Sequence, residues 1–349
     1  MIMSINTELT DYLNAAIRRR VFPGCALAWV SKDEESIITV GHRTYDDGDI
    51  PISENTLYDC ASVTKAIPVS NLALWLIDRK KLSIDNRLID FVPEYTGSFR
   101  DDVRIRHLLT HTLDFDFRLS GCKDLPPDEL LHTILSVKMK RAPGEKFCYS
   151  NASSILLGLT VERASGKPLH TLAQEVFFDP LGMIDTTFFI DDGKRSRCVP
   201  TEIDPWRGRA VCGEVHDESA YTLQKIMTPG SAGLFSTAND LLKYIKMLID
   251  GWEPFFSEET IVSMQTNQIP RISGMCTGLG WELNQEYMGR KRGPETFGKT
   301  GFTGCAVVVD RTRRAGFVLL SNCTWPNRKP NRDMINEVRG GAADIVLGG

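Results

Sequence analysis

The chain has 349 residues, with 41 Lys and Arg against 45 Asp and Glu, for a net charge of -4. That balance offers no basic field for nucleic acid, and no uninterrupted apolar run approaches the length that would cross a membrane. Nine cysteines, scattered and never spaced as C-x-x-C, fit reduced thiols better than a disulfide framework or a zinc knuckle.

Residues 1–8 turn polar at once, without an apolar core of signal-peptide length, so the expectation is a cytoplasmic protein. Leu9, Leu13, Ala16 and Ile17 recur at helical spacing over 7–21, and Pro23-Gly24 stops the pattern. Strand-like runs at 25–30 and 36–40 flank a polar turn, which predicts a hairpin. From Ser62 onward the apolar residues Ile67, Val69, Leu72, Ala73, Leu74, Leu76 and Ile77 predict a long, largely buried helix, bent at Pro68. Further helices are predicted at 103–112, 127–138, 151–165, 168–177 and 237–250. Strand character returns at 278–283, 295–299, 305–310 and 316–321, and residues 331–346 close the chain as a helix. The sheet is thus expected from both ends of the chain, about 1–60 and 231–349, with a helical lobe at about 61–230 inserted between them. The fold class is α/β (α+β), one antiparallel sheet flanked by the terminal helices plus that inserted lobe.

Three short stretches carry chemistry. In Ser62-Val63-Thr64-Lys65, helical spacing sets Lys65 beside the Ser62 hydroxyl, in a first turn whose backbone N–H groups lack partners. Tyr149-Ser150-Asn151 follows a Pro-Gly turn and precedes an apolar run. Lys299-Thr300-Gly301 ends one predicted strand and precedes another, where glycine lets a second backbone or a ligand come close.

In that order these motifs resemble the serine β-lactamase and penicillin-binding-protein-like family, in particular its class C and esterase branch. Arg106-His107-Leu108-Leu109-Thr110-His111-Thr112, the stretch from Asp179 to Thr187, Ala232-Gly233-Leu234-Phe235-Ser236-Thr237 and Gly278-Leu279-Gly280-Trp281 are similar to the family as well. The resemblance spans roughly residues 10–325. Two departures stand out. Leu113-Asp114-Phe115-Asp116 replaces the usual Ser-Gly after His111-Thr112, and Lys299 stands where esterases of the family often carry His or Trp.

The resemblance implies a serine hydrolase. Ser62 attacks a carbonyl, and water later releases the acyl group. A base must take the hydroxyl proton. Lys65 would need desolvation and nearby cations for that role, and Tyr149 the positive charges of Lys65 and Lys299; the two stay open as alternatives. The backbone amides of Ser62 and Phe302 would hold the oxyanion, Asn151 would orient the substrate or Lys65, and Lys299, Thr300 and Gly301 would form the far wall. The expected substrate is a small carboxylic ester. A β-lactam or D-amino-acid peptide is the alternative, and a catalytically silent binding relative a third reading. No cofactor, metal, nucleic acid or membrane partner is expected, and the oligomeric state is open.

Other signals are weaker. His107 and His111 lie four apart, but without the H-E-x-x-H pattern or a third ligand they read as structural. Val215-His216-Asp217-Glu218 reads as a loop at the cleft rim. Trp252, Trp281 and Trp325 could line a pocket but read as core. No G-x-S-x-G marks an α/β-hydrolase elbow.

Overall fold

Alternating side chains at the two ends of the chain build one sheet with both faces covered. In a computed structural model, which describes residues 2–250, 253–328 and 332–349, helix α1 (Ile2–Arg18) leads into the hairpin of β1 (Gly24–Ser31) and β2 (Glu34–Gly41). Then come β3 (Tyr58–Asp59), α2 (Asn71–Asp78), α3 (Ile105–Leu109), α4 (Pro127–Leu135), α5 (Asn151–Ser165), α6 (Leu169–Ala173) and α7 (Asp192–Arg195). β4 (Pro200–Asp204), β5 (Arg209–Cys212), α8 (Glu218–Leu223), β6 (Phe235–Ser236), α9 (Ala238–Asp250) and α10 (Glu258–Gln265) follow. The chain ends with β7 (Cys276–Thr277), β8 (Glu282–Leu283), β9 (Thr296–Thr300), β10 (Ala306–Asp310), β11 (Ala315–Ser321) and α11 (Arg332–Val346). Trp252 and Asn331 lie outside the described residues.

Seven strands run antiparallel in the order β2-β1-β11-β10-β9-β8-β7, so the first hairpin joins the sheet beside the last strand. Successive strand residues point to opposite faces. Cys25, Leu27 and Trp29 of β1 pack with Leu9, Leu13, Val338 and Ala342 of the terminal helices. Ala26, Ala28 and Val30 pack with Leu241, Ile245 and the inserted helices on the other side. The expected fold class is the observed one. No helix of the described residues is long and apolar enough to cross a membrane.

The largest difference lies at Ser62. The long helix expected there is broken: Ala61–Lys65 form a single 3-10 turn, Ile67 is extended (φ -109, ψ 108), and α2 begins only at Asn71. A proline pushes the residue before it out of the helical region, so Pro68 interrupts the helix where only a bend was predicted. The helix predicted over 103–112 shortens to α3, and His111 beyond it adopts a left-handed φ of 53°. The strand predicted over 278–283 is two short strands around a turn, in which Gly278 N–H donates to the Trp281 carbonyl at 2.9 Å. The small β4–β5 sheet and α8, which flank the cleft, were not anticipated, because their short segments lack a sustained period.

Candidate active site

A 3-10 turn has three residues per revolution, so Ser62 and Lys65 stand in line more closely than on an α-helix. Lys65 Nζ donates to Ser62 Oγ at 2.9 Å and to the Ser231 carbonyl at 2.7 Å, and the lysine is buried. Ala61, just before the serine, has φ 45°, a conformation costly for a residue with a Cβ. Its N–H donates to Asp59 Oδ1 at 2.7 Å, while Thr64 Oγ1 donates to its carbonyl at 2.6 Å. The other oxygen of Asp59 accepts the His216 N–H at 2.6 Å. Burial pushes the Asp59 carboxyl up to about 6, against the lowering effect of those two N–H bonds. Asp59 and Ser231 escaped sequence reasoning. Their only signal is position, one beside the Ser62 turn and the other beside Ala232-Gly233-Leu234.

Tyr149 stands over both lysines, its ring centroid 5.1 Å from Lys65 Nζ and 4.7 Å from Lys299 Nζ. Burial of its hydroxyl raises the pKa, but Lys65, Lys299 and a hydrogen bond with Ser62 outweigh it and hold Tyr149 below its ordinary value. Lys299 donates to Glu282 Oε1 at 2.7 Å, and Tyr287 OH donates to Glu282 Oε2 at 2.9 Å. Burial lowers the Lys299 pKa, but Glu282 and Tyr149 outweigh it and hold the ammonium above its ordinary value. His111 packs its ring 4.8 Å from that of Tyr149, and burial with the two lysines keeps it neutral, well below the usual imidazole range. His107 belongs elsewhere, its Nδ1 accepting the Arg104 N–H at 3.1 Å.

Of the two roles expected of Asn151, contact with Lys65 is not observed. Asn151 Nδ2 donates to Asp217 Oδ2 at 2.8 Å, and it makes no hydrogen bond to Lys65. Lys65 uses the Ser231 carbonyl in its place. Asp217 also caps α8, its Oδ1 accepting from Ala220 N–H at 2.9 Å and Ser219 Oγ at 2.5 Å.

The third wall is the turn after β9. Thr300 ends that strand half-buried, opposite Ala306. A Cβ on Gly301 would lie 2.4 Å from the Cys60 carbonyl, so only glycine lets this turn close on the Ser62 segment. Arg339 of α11, buried, donates through Nη2 to the Gly301 carbonyl at 2.8 Å and the Cys305 carbonyl at 2.9 Å. Sequence reasoning missed Arg339 and Tyr287, which sit outside any motif, and Glu282, whose only signal is its place directly after Gly278-Leu279-Gly280-Trp281. No described group accepts from the backbone N–H of Ser62 or of Phe302. Those two amides are the donors an oxyanion would need. The Phe302 ring is 56 % exposed at the rim, with the His216 ring on it at 5.6 Å and the Arg328 guanidinium also at 5.6 Å.

Residues 9–339 match the family described as Beta-lactamase. The chain belongs to the beta-lactamase family. That family comprises serine hydrolases, and this member carries the family fold from the first helix to the last. It is 27 % identical over 323 residues to a "Putative D-alanyl-D-alanine carboxypeptidase" of Escherichia coli (strain K12), covering 81 % of this chain and 74 % of the relative. It is 26 % identical over 363 residues to "Esterase EstB" of Burkholderia gladioli, covering 92 % and 91 % respectively. Among solved structures, "EstCE1, a hydrolase with promiscuous acyltransferase activity" superposes with a TM-score of 0.77 at 19 % identity, over 98 % of each chain.

This beta-lactamase-family chain settles its departure at 113–116 locally. Asp114, buried, pairs with Arg141 at 3.3 Å and Lys146 at 3.7 Å, and Phe115 bridges to Met139. Trp281 is core, its Nε1 donating to Asn71 Oδ1 at 3.0 Å. Beside Phe302 the charges are paired. Arg328 binds Glu202, and Glu218 at 2.9 Å, while Arg207 faces Asp204 at 3.4 Å.

Proposed function

We propose that the chain is a carboxylesterase acting on small esters through an acyl-enzyme on Ser62, with Lys65 and Tyr149 as its catalytic partners. The observation that carries this reading is the placement of Ser62 Oγ against Lys65 Nζ at 2.9 Å under Tyr149. A lysine ammonium has no lone pair, so Lys65 donates to the serine oxygen and leaves the serine proton free for Tyr149. Tyr149, held below its ordinary pKa, takes that proton as Oγ attacks the substrate carbonyl. Negative charge collects on the carbonyl oxygen, facing the Ser62 and Phe302 amides. The proton then passes to the departing alkoxide, and water, deprotonated by the same tyrosine, releases the carboxylic acid. The proposed roles of Asn151, Lys299, Thr300 and Gly301 are to shape and polarise the walls of this cleft.

Ester rather than carboxylate-bearing substrates are supported by the charges of the far wall. Lys299 is matched by Glu282, and Arg339 is engaged by two carbonyls. A peptide terminus or β-lactam carboxylate would therefore compete with partners already in place. Similarity to EstB over nearly the full length of both chains points the same way. The Lys299-Thr300-Gly301 motif and the printed name of the Escherichia coli relative favour a D-amino-acid peptidase or β-lactamase as the second reading. All nine cysteines are free, which supports a reducing compartment, and we place the protein in the cytoplasm on that ground.

Initial rates on p-nitrophenyl butyrate and a chromogenic cephalosporin, with Ser62→Ala alongside, test the reading. Ester turnover that falls at least a thousandfold in the variant, with the cephalosporin barely cleaved, is the expected result. Fast cephalosporin turnover would move the assignment to the second reading. Wild-type ester turnover in Ser62→Ala would end it, and failure of a fluorophosphonate to label Ser62 would favour a silent relative.

A further inference from the structure

The end of α2 remote from Ser62 borders a cleft of about 620 Å³. That volume lies within the roughly 300–1,000 Å³ of small-ligand pockets. None of Ser62, Lys65, Tyr149 and Lys299 lines it, so it is separate from the catalytic cleft. Its floor is apolar. Leu172 and Val176 are buried there, whereas Trp75, Leu181 and Phe255 pack on the core but stay partly uncovered. Apolar side chains scattered singly over a surface are ordinary; a contiguous, partly bare set in one concavity marks a binding groove.

The rim is cationic. Arg79, Lys81 and Lys167 face one carboxylate of the lining, Glu175, on a chain whose net charge is -4. Lys167 takes that carboxylate. Arg79 lies over the Trp75 ring, 4.0 Å from its centroid. It donates to the Trp75 and Phe255 carbonyls, each at 3.3 Å, and to the Pro254 carbonyl at 3.1 Å. Of the five N–H donors of a guanidinium two are thus left over, and carbonyls do not neutralise its charge. The neighbouring Asp78 is committed elsewhere, accepting from Ser257 N–H and Oγ, each at 2.8 Å, and from Thr260 Oγ1 at 2.5 Å. Lys81 is exposed and has no ion-pair partner among the described residues.

We propose that this cleft binds a single-chain amphiphilic anion, a medium-chain carboxylate, with its head at Lys81 and Arg79 and its tail over Trp75, Leu181 and Phe255. A carboxylate supplies the acceptors and the charge that the rim lacks, and bonds between ionised partners are the stronger ones. A cationic head would meet like charge. A short acid would leave the apolar floor uncovered. The site is independent of the hydrolase reading above and stands or falls without it.

Isothermal titration of the wild-type chain with sodium decanoate, kept below its micellar concentration, tests the proposal. Octanoate and decyltrimethylammonium serve as comparisons. One decanoate per chain is expected. Each buried methylene is worth about fourfold in affinity, so octanoate is expected to bind at least fourfold more weakly, and the cation not to bind. Lys81→Glu reverses one rim charge at an exposed position and is expected to weaken decanoate at least fivefold. The proposal is overturned if decanoate does not bind, or if octanoate or the cation binds as tightly. Decanoate binding unchanged in Lys81→Glu also overturns it, because the acid would then be held elsewhere, as a reaction product in the Ser62 cleft would be.

Discussion

The carboxylate of Asp59 ties the Ala61 N–H, at 2.7 Å, to the N–H of His216, at 2.6 Å and 157 residues beyond Asp59 in sequence. One buried side chain thereby holds the strained residue before Ser62 and the loop that carries Asp217. The carbonyl of the same residue accepts Thr303 Oγ1 from the turn after β9 at 2.8 Å. Three walls of the cleft converge on Asp59.

The stability of the protein should report on this carboxyl. Its folded-state pKa, pushed up to about 6 by burial, lies above the roughly 3.9 of an unfolded aspartate. The folded chain therefore binds this proton more tightly, so its stabilising contribution is full below about pH 4 and is lost as pH rises through 6. Asp59→Asn does not titrate, and it turns an NH₂ toward one of the two N–H donors. We expect it to cost about 1–3 kcal/mol at pH 7. Denaturant melts at pH 4.5 and 7.5 should show a larger gap between wild type and variant at the lower pH; equal gaps would contradict the assignment.

Tyr149→Phe removes the proposed base and should lower kcat on the ester by about 10²–10⁴. The pH profile distinguishes a base from a packing residue. Lys299 helps to lower the Tyr149 pKa, so taking its charge away should shift the rising limb of kcat/KM to higher pH. Lys299→Met combined with Glu282→Gln does this without stranding the half-buried Glu282 carboxylate, and the larger effect of Lys299 on Tyr149 sets the direction against the smaller, opposite one of Glu282. A limb that stays in place, or moves to lower pH, would exclude Tyr149 as the titrating group.

Gly301→Ala would push a methyl to 2.4 Å from the Cys60 carbonyl, backbone against backbone. The turn must then move away from Ser62 and carry the Phe302 amide with it. We expect about 1–3 kcal/mol of destabilisation, and a fall of about 10²–10³ in kcat from the displaced oxyanion donor. Thermal melts with initial rates check both, and a fully active Gly301→Ala would refute the role given to this turn.

Arg339 lies in the last helix yet holds the same turn, through the Gly301 and Cys305 carbonyls. Arg339→Lys keeps the charge but loses the second terminal nitrogen, which donates to Asn336 Oδ1 at 2.8 Å and holds the guanidinium so that Nη2 meets both carbonyls. The variant should lose about 1.5–3 kcal/mol of stability, with kcat reduced more than KM is raised. A change confined to KM would instead mean that the side chain contacts substrate.

Much of this was legible in the chain itself. Uninterrupted apolar runs in β1 and β11, buried at every position, and helical spacing in α9 are local patterns, and they made the sheet and its flanking helices legible. The three-residue spacing of Ser62 and Lys65 survived even though the predicted helix did not, because a 3-10 turn aligns positions three apart. Gly301 marked a close backbone approach before the Cys60 carbonyl was known to be its neighbour. Tertiary structure alone decided how the polar groups pair. Lys65 meets the Ser231 carbonyl 166 residues away, Asn151 meets Asp217 66 residues away, and Arg339 meets Gly301 38 residues away. Burial obliges each such group to find a partner, but local periodicity carries no record of which distant segment supplies it. The alignment of Ser62 with Lys65 was therefore written in sequence, while the orientation of Asn151 by Asp217 arose only when the segments of the inserted lobe packed together, and the neutralisation of Lys299 by Glu282 only when β8 paired with β9.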